Sequence, residues 1–186
     1  MVHFSETQDL RSSRQFLAFS DAYLTSASTL CRSLAENPSH STYPKGAVVM
    51  SLTFHGVELF LKAAILEKNP DELFSGVGGH DLDHLGKRYA NLYPGKKFAF
   101  EIPFRNEMVE IVNPDPRIVG ELEALIAQQK LTTPTDQLHR YPRSTTGEPW
   151  AGLYAFEASS FDIVITKVQR DIANLQGLIF PGQSNK

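Results

Sequence analysis

The stretch FHGVELFLKAAILEKNPDELFSGVGGHDLDHLGKRY, residues 54–89, decides the fold of this chain. It continues an apolar run that extends from about Lys45 to Lys68, and the apolar residues of this run cover most of a helical circumference. A helix of this kind belongs in the middle of a bundle. The glycines at 76, 78 and 79 predict a flexible turn. After it, HDLDHLGKRYANLY predicts a further helix with Asp81 as its N-cap.

One polar line interrupts the apolar surface of this central helix. Ser51, His55, Glu58 and Lys62 are spaced by four, three and four residues, which places them along one edge. Glu58 and Lys62 have the order and spacing of an intrahelical ion pair. Alternatively, Glu58 orients an imidazole and Lys62 holds an anion, as in a catalytic or ligand-binding site. A buried polar line needs partners in either case, which favours the structural interpretation.

Further helices are predicted on both sides of the central stretch. Apolar residues in helical register predict a long first helix from about Ser12 to Glu36. Asn37-Pro38 ends it, because proline disfavours helical geometry in the residue before it. Asp115-Pro116 predicts the start of a fourth helix, which breaks near Thr133-Pro134.

The C-terminal half also contains an extended piece, a long loop and a last helix. KKFAFEIPF, residues 96–104, alternates apolar and polar positions as a strand does, although Pro103 confines it to an edge or an irregular stretch. Residues 132–160 predict a long loop or a small hairpin. Ser159 with Asp162 resembles a capping box that opens a closing helix ending at Ile179. The fold class is therefore all-α: an up-and-down bundle of four or five helices with a small extended or hairpin excursion between the later helices.

The composition and charge limit the classes of protein to which the chain can belong. The 186 residues, 41% of them apolar, predict one domain over residues 1–186. The lone Cys31 predicts a packing role in a reducing compartment. Eighteen basic against 21 acidic residues give a net charge of −3, which excludes a strong nucleic-acid footprint but not a local one. The N-terminus lacks the pattern of a secretory signal, and no apolar stretch is expected to approach membrane-spanning length, so we expect a cytoplasmic protein without a membrane partner.

Two short segments within residues 54–89 have the patterns E-L-x-L-K-A and G-H-D-L-x-x-L. A third segment, Arg140-Tyr141-Pro142, precedes the closing helix. Together they resemble the HEPN family of helical domains, in which the first pattern lies on one helix and the second opens the next. The matching residues of the two patterns are Glu58, Leu59, Leu61, Lys62 and Ala63, then Gly79, His80, Asp81, Leu82 and Leu85.

The resemblance implies a bundle of four or five helices that is frequently dimeric. Such domains occur in RNases of toxin–antitoxin and phage-defence systems and in nucleotide-binding partners of nucleotidyltransferases. The nuclease branch uses an arginine followed four to six residues later by histidine. Here Arg32 precedes His40 by too many residues, and no histidine follows Arg140. Because this Arg/His spacing is missing, we do not expect RNA cleavage of the kind found in the nuclease branch of the family.

Histidines elsewhere suggest two further kinds of site. His80 and His84, four residues apart, could share a metal ion with oxygen from Asp81 or Asp83. No H-E-x-x-H pattern or further Cys or His cluster is present, so we expect no metal and no cofactor. His139, Arg140, Arg143 and Trp150 gather on the long loop, where arginine with an aromatic residue suits a nucleotide or RNA. A tryptophan that anchors the loop to the bundle is the plainer interpretation.

These patterns predict a non-catalytic binding or regulatory domain, most simply a homodimer, that recognises a nucleotide, RNA or protein partner in a stress, toxin–antitoxin or defence system. A first alternative is an unorthodox metal-independent RNase in which His139, or His55 with Glu58, does acid–base work. A second alternative is a structural dimerisation module. The expected ligand-binding residues are Ser51, His55, Glu58, Lys62, His80, Asp81, Arg140, Arg143 and Trp150.

Overall fold

The computed structural model describes residues 5–103, 139–143, 146–148 and 156–180, with four single residues at 117, 120, 121 and 124. Within these ranges the chain is helical and contains no strand, which confirms the all-α class. A short helical turn, Ser5–Gln8, precedes the bundle, and 3-10 turns occur at Pro38–His40, Val77–Gly79 and Lys96–Phe98. The four long helices are α1 (Ser12–Glu36), α2 (Tyr43–Lys68), α3 (Leu82–Leu92) and α4 (Ala158–Ile179).

Helix α2 is the centre of the bundle. It packs against α1, α3 and α4, and α1 also packs against α4. Phe60, Leu61 and Ile65 of α2 are fully buried and meet Leu85 of α3 in one core cluster. This burial on several sides explains why the apolar residues of α2 cover most of its circumference.

A close crossing of two backbones joins α1 to α2 at Gly56. The hydroxyl of Ser20 donates to the Gly56 carbonyl oxygen at 2.7 Å. A Cβ atom at Gly56 would lie only 2.7 Å from Cγ of Leu24. The missing side chain therefore lets the two helices approach closely enough for this hydrogen bond.

The predicted strand at 96–104 is wrong in its described part, residues 96–103. Lys96–Phe98 is a 3-10 turn, and the residues that follow form no ladder. The alternation has another cause: Phe98 and Phe100 are partly buried against the core, whereas Ala99 between them is exposed. The rings of Phe100 and Phe60 are 5.1 Å apart, so packing on α2 produces the period of two without a neighbouring strand.

The predicted capping box of the last helix is also wrong. Helix α4 begins at Ala158 because the Glu157 carboxylate accepts hydrogen bonds from the backbone amides of Ser159 (3.0 Å) and Ser160 (2.6 Å). A glutamate reaches both amides and caps the helix before Ser159. Asp162 instead forms an ion pair with Arg32 of α1 at 3.3 Å. The other predicted cap is confirmed, since Asp81 accepts from the backbone amide of His84 at 2.8 Å.

Several predictions fall largely outside the described residues. Arg117, Gly120, Glu121 and Ala124 are helical and lie where the fourth helix was predicted, from Asp115-Pro116 to Thr133-Pro134. The described residues do not include the rest of that segment, Trp150 or most of the loop 132–160. The start of α2 is described, and it lies at Tyr43 rather than near Lys45, with Pro44 in the first turn.

Cys31 is fully buried where α1 meets α4. Its thiol donates to the carbonyl oxygen of Ala158 at 3.2 Å. Burial, together with the nearby Asp162 and Glu157 carboxylates, raises the pKa of the thiol to about 11. The thiol therefore stays protonated, as a packing role requires.

The expectation that no apolar stretch approaches membrane-spanning length is wrong for α2. This helix has 26 residues and a window with mean hydropathy 1.5, which meets the length and composition of a membrane span. However, 78% of that window is buried inside the bundle. A central bundle helix has the same composition for a different reason, so α2 is weak evidence for a membrane segment.

The crossing at Gly56 gives a prediction about stability. We expect Gly56→Ala to lower the free energy of unfolding by about 1 to 3 kcal/mol, because the new methyl group overpacks against Leu24. Gly177 in α4 has open space around its Cβ position, so Gly177→Ala is the matched control and should stabilise by up to about 1 kcal/mol. Urea denaturation measures both, and equal effects of the two substitutions would contradict a tight crossing.

Candidate functional site

A cluster of polar side chains surrounds Glu58, which is 2% exposed. Its Oε1 atom accepts a hydrogen bond from Lys62 Nζ at 2.6 Å and lies 2.9 Å from His80 Nδ1. Its Oε2 atom lies 3.4 Å from His55 Nδ1 and 4.0 Å from Arg140 Nη2. We call these five side chains the Glu58 cluster.

His80 follows Glu58 by 22 residues in the sequence, and the turn before α3 brings it to the cluster. The Asp81 cap starts α3 at Leu82, so His80 immediately precedes the helix. The turn before it is tight at Gly79, where a Cβ atom would lie 3.0 Å from the Phe74 carbonyl carbon. Gly76 has a φ of 70°, a conformation that favours glycine. These glycines permit the turn that places His80 against α2.

Two aromatic side chains border the cluster, and sequence reasoning missed both in this role. The ring of Tyr23 on α1 meets the His55 ring edge to face, with centroids 4.5 Å apart. Lys62 Nζ lies 5.2 Å from the centre of the Phe74 ring, which favours the ammonium group. Neither contact has a local sequence signature, because each joins two different segments.

Electrostatics keep Glu58 ionised in spite of its burial. Burial by itself would raise the pKa of Glu58, but hydrogen bonds from His55 and Lys62 and the charge of Lys62 outweigh it and lower the pKa to about 2. Lys62 is buried beside it, so this pair is neutral. The side chains that carry or can acquire additional positive charge are more accessible: His80 is 57% exposed, Arg140 35% and His55 27%. The accessible side of the cluster therefore holds one permanent cation, Arg140, and two imidazoles that become cations when protonated.

Arg140 and Glu58 compete for the same nitrogen of His55. Arg140 Nη2 lies 3.3 Å from His55 Nδ1, the atom that also faces the carboxylate. A ring nitrogen donates or accepts but cannot do both, so His55 satisfies only one of these neighbours at a time. Among the described contacts of Arg140, only Nη2 is engaged. The guanidinium group has five N–H donors, so most of its capacity remains for a ligand.

His139 lies beside Arg140 but has a different role. Its ring stacks on Phe54 of α2, with centroids 5.4 Å apart and an angle of 14° between the planes. Burial lowers the pKa of His139 to about 4. Its Nδ1 atom is buried and has no hydrogen-bond partner among the residues that the structure describes. The neutral ring thus holds the segment 139–143 on α2, which is a poor position for the acid–base role considered for it.

The structure separates the predicted site residues into two groups. His55, Glu58, Lys62, His80 and Arg140 come together in the Glu58 cluster. The other residues do not join the described contacts of the cluster. Asp81 is a helix cap, Arg143 donates to the Gly147 carbonyl oxygen at 3.1 Å, Ser51 is half-buried one turn before His55, and Trp150 lies outside the described residues.

The two histidines considered as a metal pair face different partners. His80 Nδ1 faces Glu58, whereas His84 Nδ1 lies 3.1 Å from the Gly78 carbonyl oxygen. In the part of the chain that the structure describes, no group of three His, Cys, Asp or Glu side chains could hold a metal ion. The cluster offers positive charge and hydrogen-bond donors, which suit an anion.

Comparison with family models, with curated proteins and with solved structures found no match to this chain.

The burial of the Glu58–Lys62 pair predicts strong coupling between the two side chains. Glu58→Gln should lower the free energy of unfolding by about 3 to 5 kcal/mol, because it leaves the Lys62 charge buried without its partner. Adding Lys62→Met should recover most of that loss, since no buried charge then remains. Glu101→Gln removes one of the two carboxylate partners of exposed Lys167, which still pairs with Asp171, and serves as the control, with an effect below about 1 kcal/mol. Additive effects of the Glu58 and Lys62 substitutions in urea denaturation would contradict the coupling.

The burial of His139 predicts a pH dependence of stability. Its folded pKa of about 4 lies below the value of about 6.5 for an unperturbed histidine, so the neutral ring stabilises the fold. This contribution of about 3 kcal/mol is fully present above pH 6.5 and is lost as the pH falls toward 4. Thermal unfolding between pH 7 and 4.5 should show a fall in Tm that is smaller in His139→Phe, while exposed His40→Gln keeps the wild-type profile. If Tm falls with pH equally in the wild type, His139→Phe and His40→Gln, burial of neutral His139 does not cause the pH dependence.

Proposed function

We propose that this chain is a non-catalytic, HEPN-like binding domain that recognises the phosphate group of a nucleotide or an RNA at the Glu58 cluster. One observation carries the proposal. A single buried carboxylate gathers Lys62, two histidines and an arginine, and the accessible members of this set are cationic or able to become so.

The charges of the cluster support an anionic ligand. Lys62 balances Glu58 within the bundle, which leaves the charge of Arg140 in excess at the surface. A planar guanidinium group matches the oxygens of a phosphate in a bidentate arrangement. His80, more than half exposed, adds a second donor at neutral or lower pH. The net charge of −3 does not oppose this, because a local site needs only local charge.

The position of the cluster on the helices also supports binding. Three of its side chains lie on α2, the helix that α1, α3 and α4 all contact. Side chains on such an element are held in place before the ligand arrives, which reduces the entropy lost on binding. The ligand then meets a preformed site rather than one that must assemble.

The RNase alternative keeps one supporting observation, since His55 and His80 both contact a carboxylate that could orient them. The Arg/His spacing of the family's nucleases is absent from the sequence. Incubating the protein with mixed RNA, with and without EDTA, separates binding from cleavage. Cleavage that disappears in His55→Ala or His80→Ala would replace the binding proposal by the catalytic one.

The homodimer, the cytoplasmic location and a role in stress, toxin–antitoxin or defence systems stay predictions from the sequence. A protein partner remains an outcome of the binding test rather than the proposal. Light scattering on the purified chain measures the mass in solution directly, and a mass of about 21 kDa, that of one chain, would contradict the dimer.

Binding at the cluster predicts a ligand-dependent rise in stability. A nucleotide or short single-stranded RNA present at about 100 times its Kd should stabilise the fold by about 2.7 kcal/mol, which thermal unfolding detects. Arg140→Ala and His80→Ala should weaken binding at least tenfold, because each removes a donor from the accessible side of the cluster.

The matched control is Arg170→Ala, which removes an exposed arginine of α4 that pairs only with a neighbouring carboxylate among the described contacts. It should bind as the wild type does. If no nucleotide or RNA changes the Tm, or if all three variants bind equally, the cluster is not a phosphate site.

A further inference from the structure

Resting on the proposed function, we infer that the Glu58 cluster takes a phosphate monoester dianion in preference to a diester, and that a histidine of the cluster is protonated as the ligand binds.

The permanent charges of the cluster balance a monoanion but not a dianion. Glu58 and Lys62 form a buried neutral pair, so among the described residues of the cluster Arg140 provides the one permanent positive charge on its accessible side. A phosphate diester carries one negative charge, which Arg140 alone balances. A monoester carries about −1.5 to −2 near neutral pH. Its second charge needs a second cation, and His80 and His55 are the groups placed to supply it.

The second step is the orientation of the imidazole rings. Both histidines face Glu58 through Nδ1, so Nε2 lies on the edge of each ring away from the carboxylate. A neutral ring that donates its Nδ1 hydrogen to Glu58 presents an acceptor at Nε2, which repels a phosphate oxygen. A protonated ring donates from both nitrogens at once. Among the described contacts, Nδ1 of His80 faces Glu58 alone, so phosphate binding at Nε2 of His80 and proton uptake are coupled.

The third step concerns Arg140. Neutral His55 has a second tautomer, with its hydrogen on Nε2, in which Nδ1 accepts from Arg140 Nη2 at 3.3 Å. A protonated His55 no longer accepts, so it donates to Glu58 and releases the guanidinium nitrogen. Protonation thus frees a donor on Arg140 as it adds a charge on His55. Both changes favour a dianion.

The groups around the histidines do not compete with this titration. Glu58 and Lys62 face them from α2, Tyr23 from α1 and Arg140 from the segment 139–143, and Asp81 and His84 lie at the start of α3. Of these side-chain types, only histidine ordinarily changes its charge between pH 5 and 8. His84 faces the Gly78 carbonyl oxygen rather than the cluster.

Calorimetry with three related ligands tests the inference. The full-length protein is titrated with adenosine 5′-monophosphate, cyclic 3′,5′-adenosine monophosphate and adenosine at pH 6.5 and 8, each in two buffers of different ionisation enthalpy. We expect the monoester to bind at least tenfold more tightly than the cyclic diester at pH 6.5 and to bind more weakly at pH 8 than at pH 6.5. The protein should take up protons on binding, once the protons that the phosphate group itself releases are subtracted. Adenosine should not bind measurably.

Substitutions of His80 and His55 test whether a histidine of the cluster takes up the proton. His80→Gln retains an amide donor but cannot titrate, so it should take up fewer protons and lose much of the preference for the monoester. His40→Gln replaces an exposed histidine outside the cluster and should behave as the wild type. His55→Gln gives a second measurement, and unchanged Tm values show that each variant is folded.

The outcomes separate this inference from the proposed function. Equal affinity for the monoester and the cyclic diester, or proton uptake that is unchanged in both His80→Gln and His55→Gln, overturns the inference. If neither adenosine nucleotide binds but a short RNA does and needs Arg140, the inference fails while the proposed function stands. If no nucleotide and no RNA binds, both fail.

Discussion

A carboxylate buried in the central helix constrains the rest of this structure. Glu58 is almost inaccessible to solvent and remains ionised, so the fold has to supply it with cations and hydrogen-bond donors. Lys62 does so within the helix, one turn away. His80 and Arg140 do so from other segments, which ties the turn before α3 and the segment 139–143 to α2.

The same helix therefore provides both the core and the candidate site. Its apolar residues are buried against three other helices, and its single polar line opens toward the start of α3. This arrangement places the cluster on the most constrained element of the bundle. Arg140 is the exception, since it comes from a connecting segment, and the stack of His139 on Phe54 holds that segment in place. A rigid base with one member on a loop is a common design for binding sites.

The errors of sequence reasoning have specific physical causes. The alternation at residues 98–102 is real, because Phe98, Phe100 and Ile102 turn toward the core and the residues between them do not. Strand pairing, however, needs a neighbouring chain segment, and the described residues provide none there. At α4, Ser159 and Asp162 have the spacing of a capping box, yet Glu157 caps the helix two residues earlier, by accepting from the amides of Ser159 and Ser160. A local sequence pattern does not show which of two possible helix caps forms.

The sequence by itself determined what depends on neighbours along the chain. The central position of α2, the Glu58–Lys62 ion pair and the Asp81 cap all follow from spacings of three or four residues and from apolar periodicity. Only the tertiary structure decided which candidates meet. Arg140 approaches His55 from 85 residues away, Tyr23 reaches the same ring from another helix, and Arg143 turns to its own loop instead. Contacts of this kind depend on how helices pack, and that geometry leaves no periodic signal in the residues that make them.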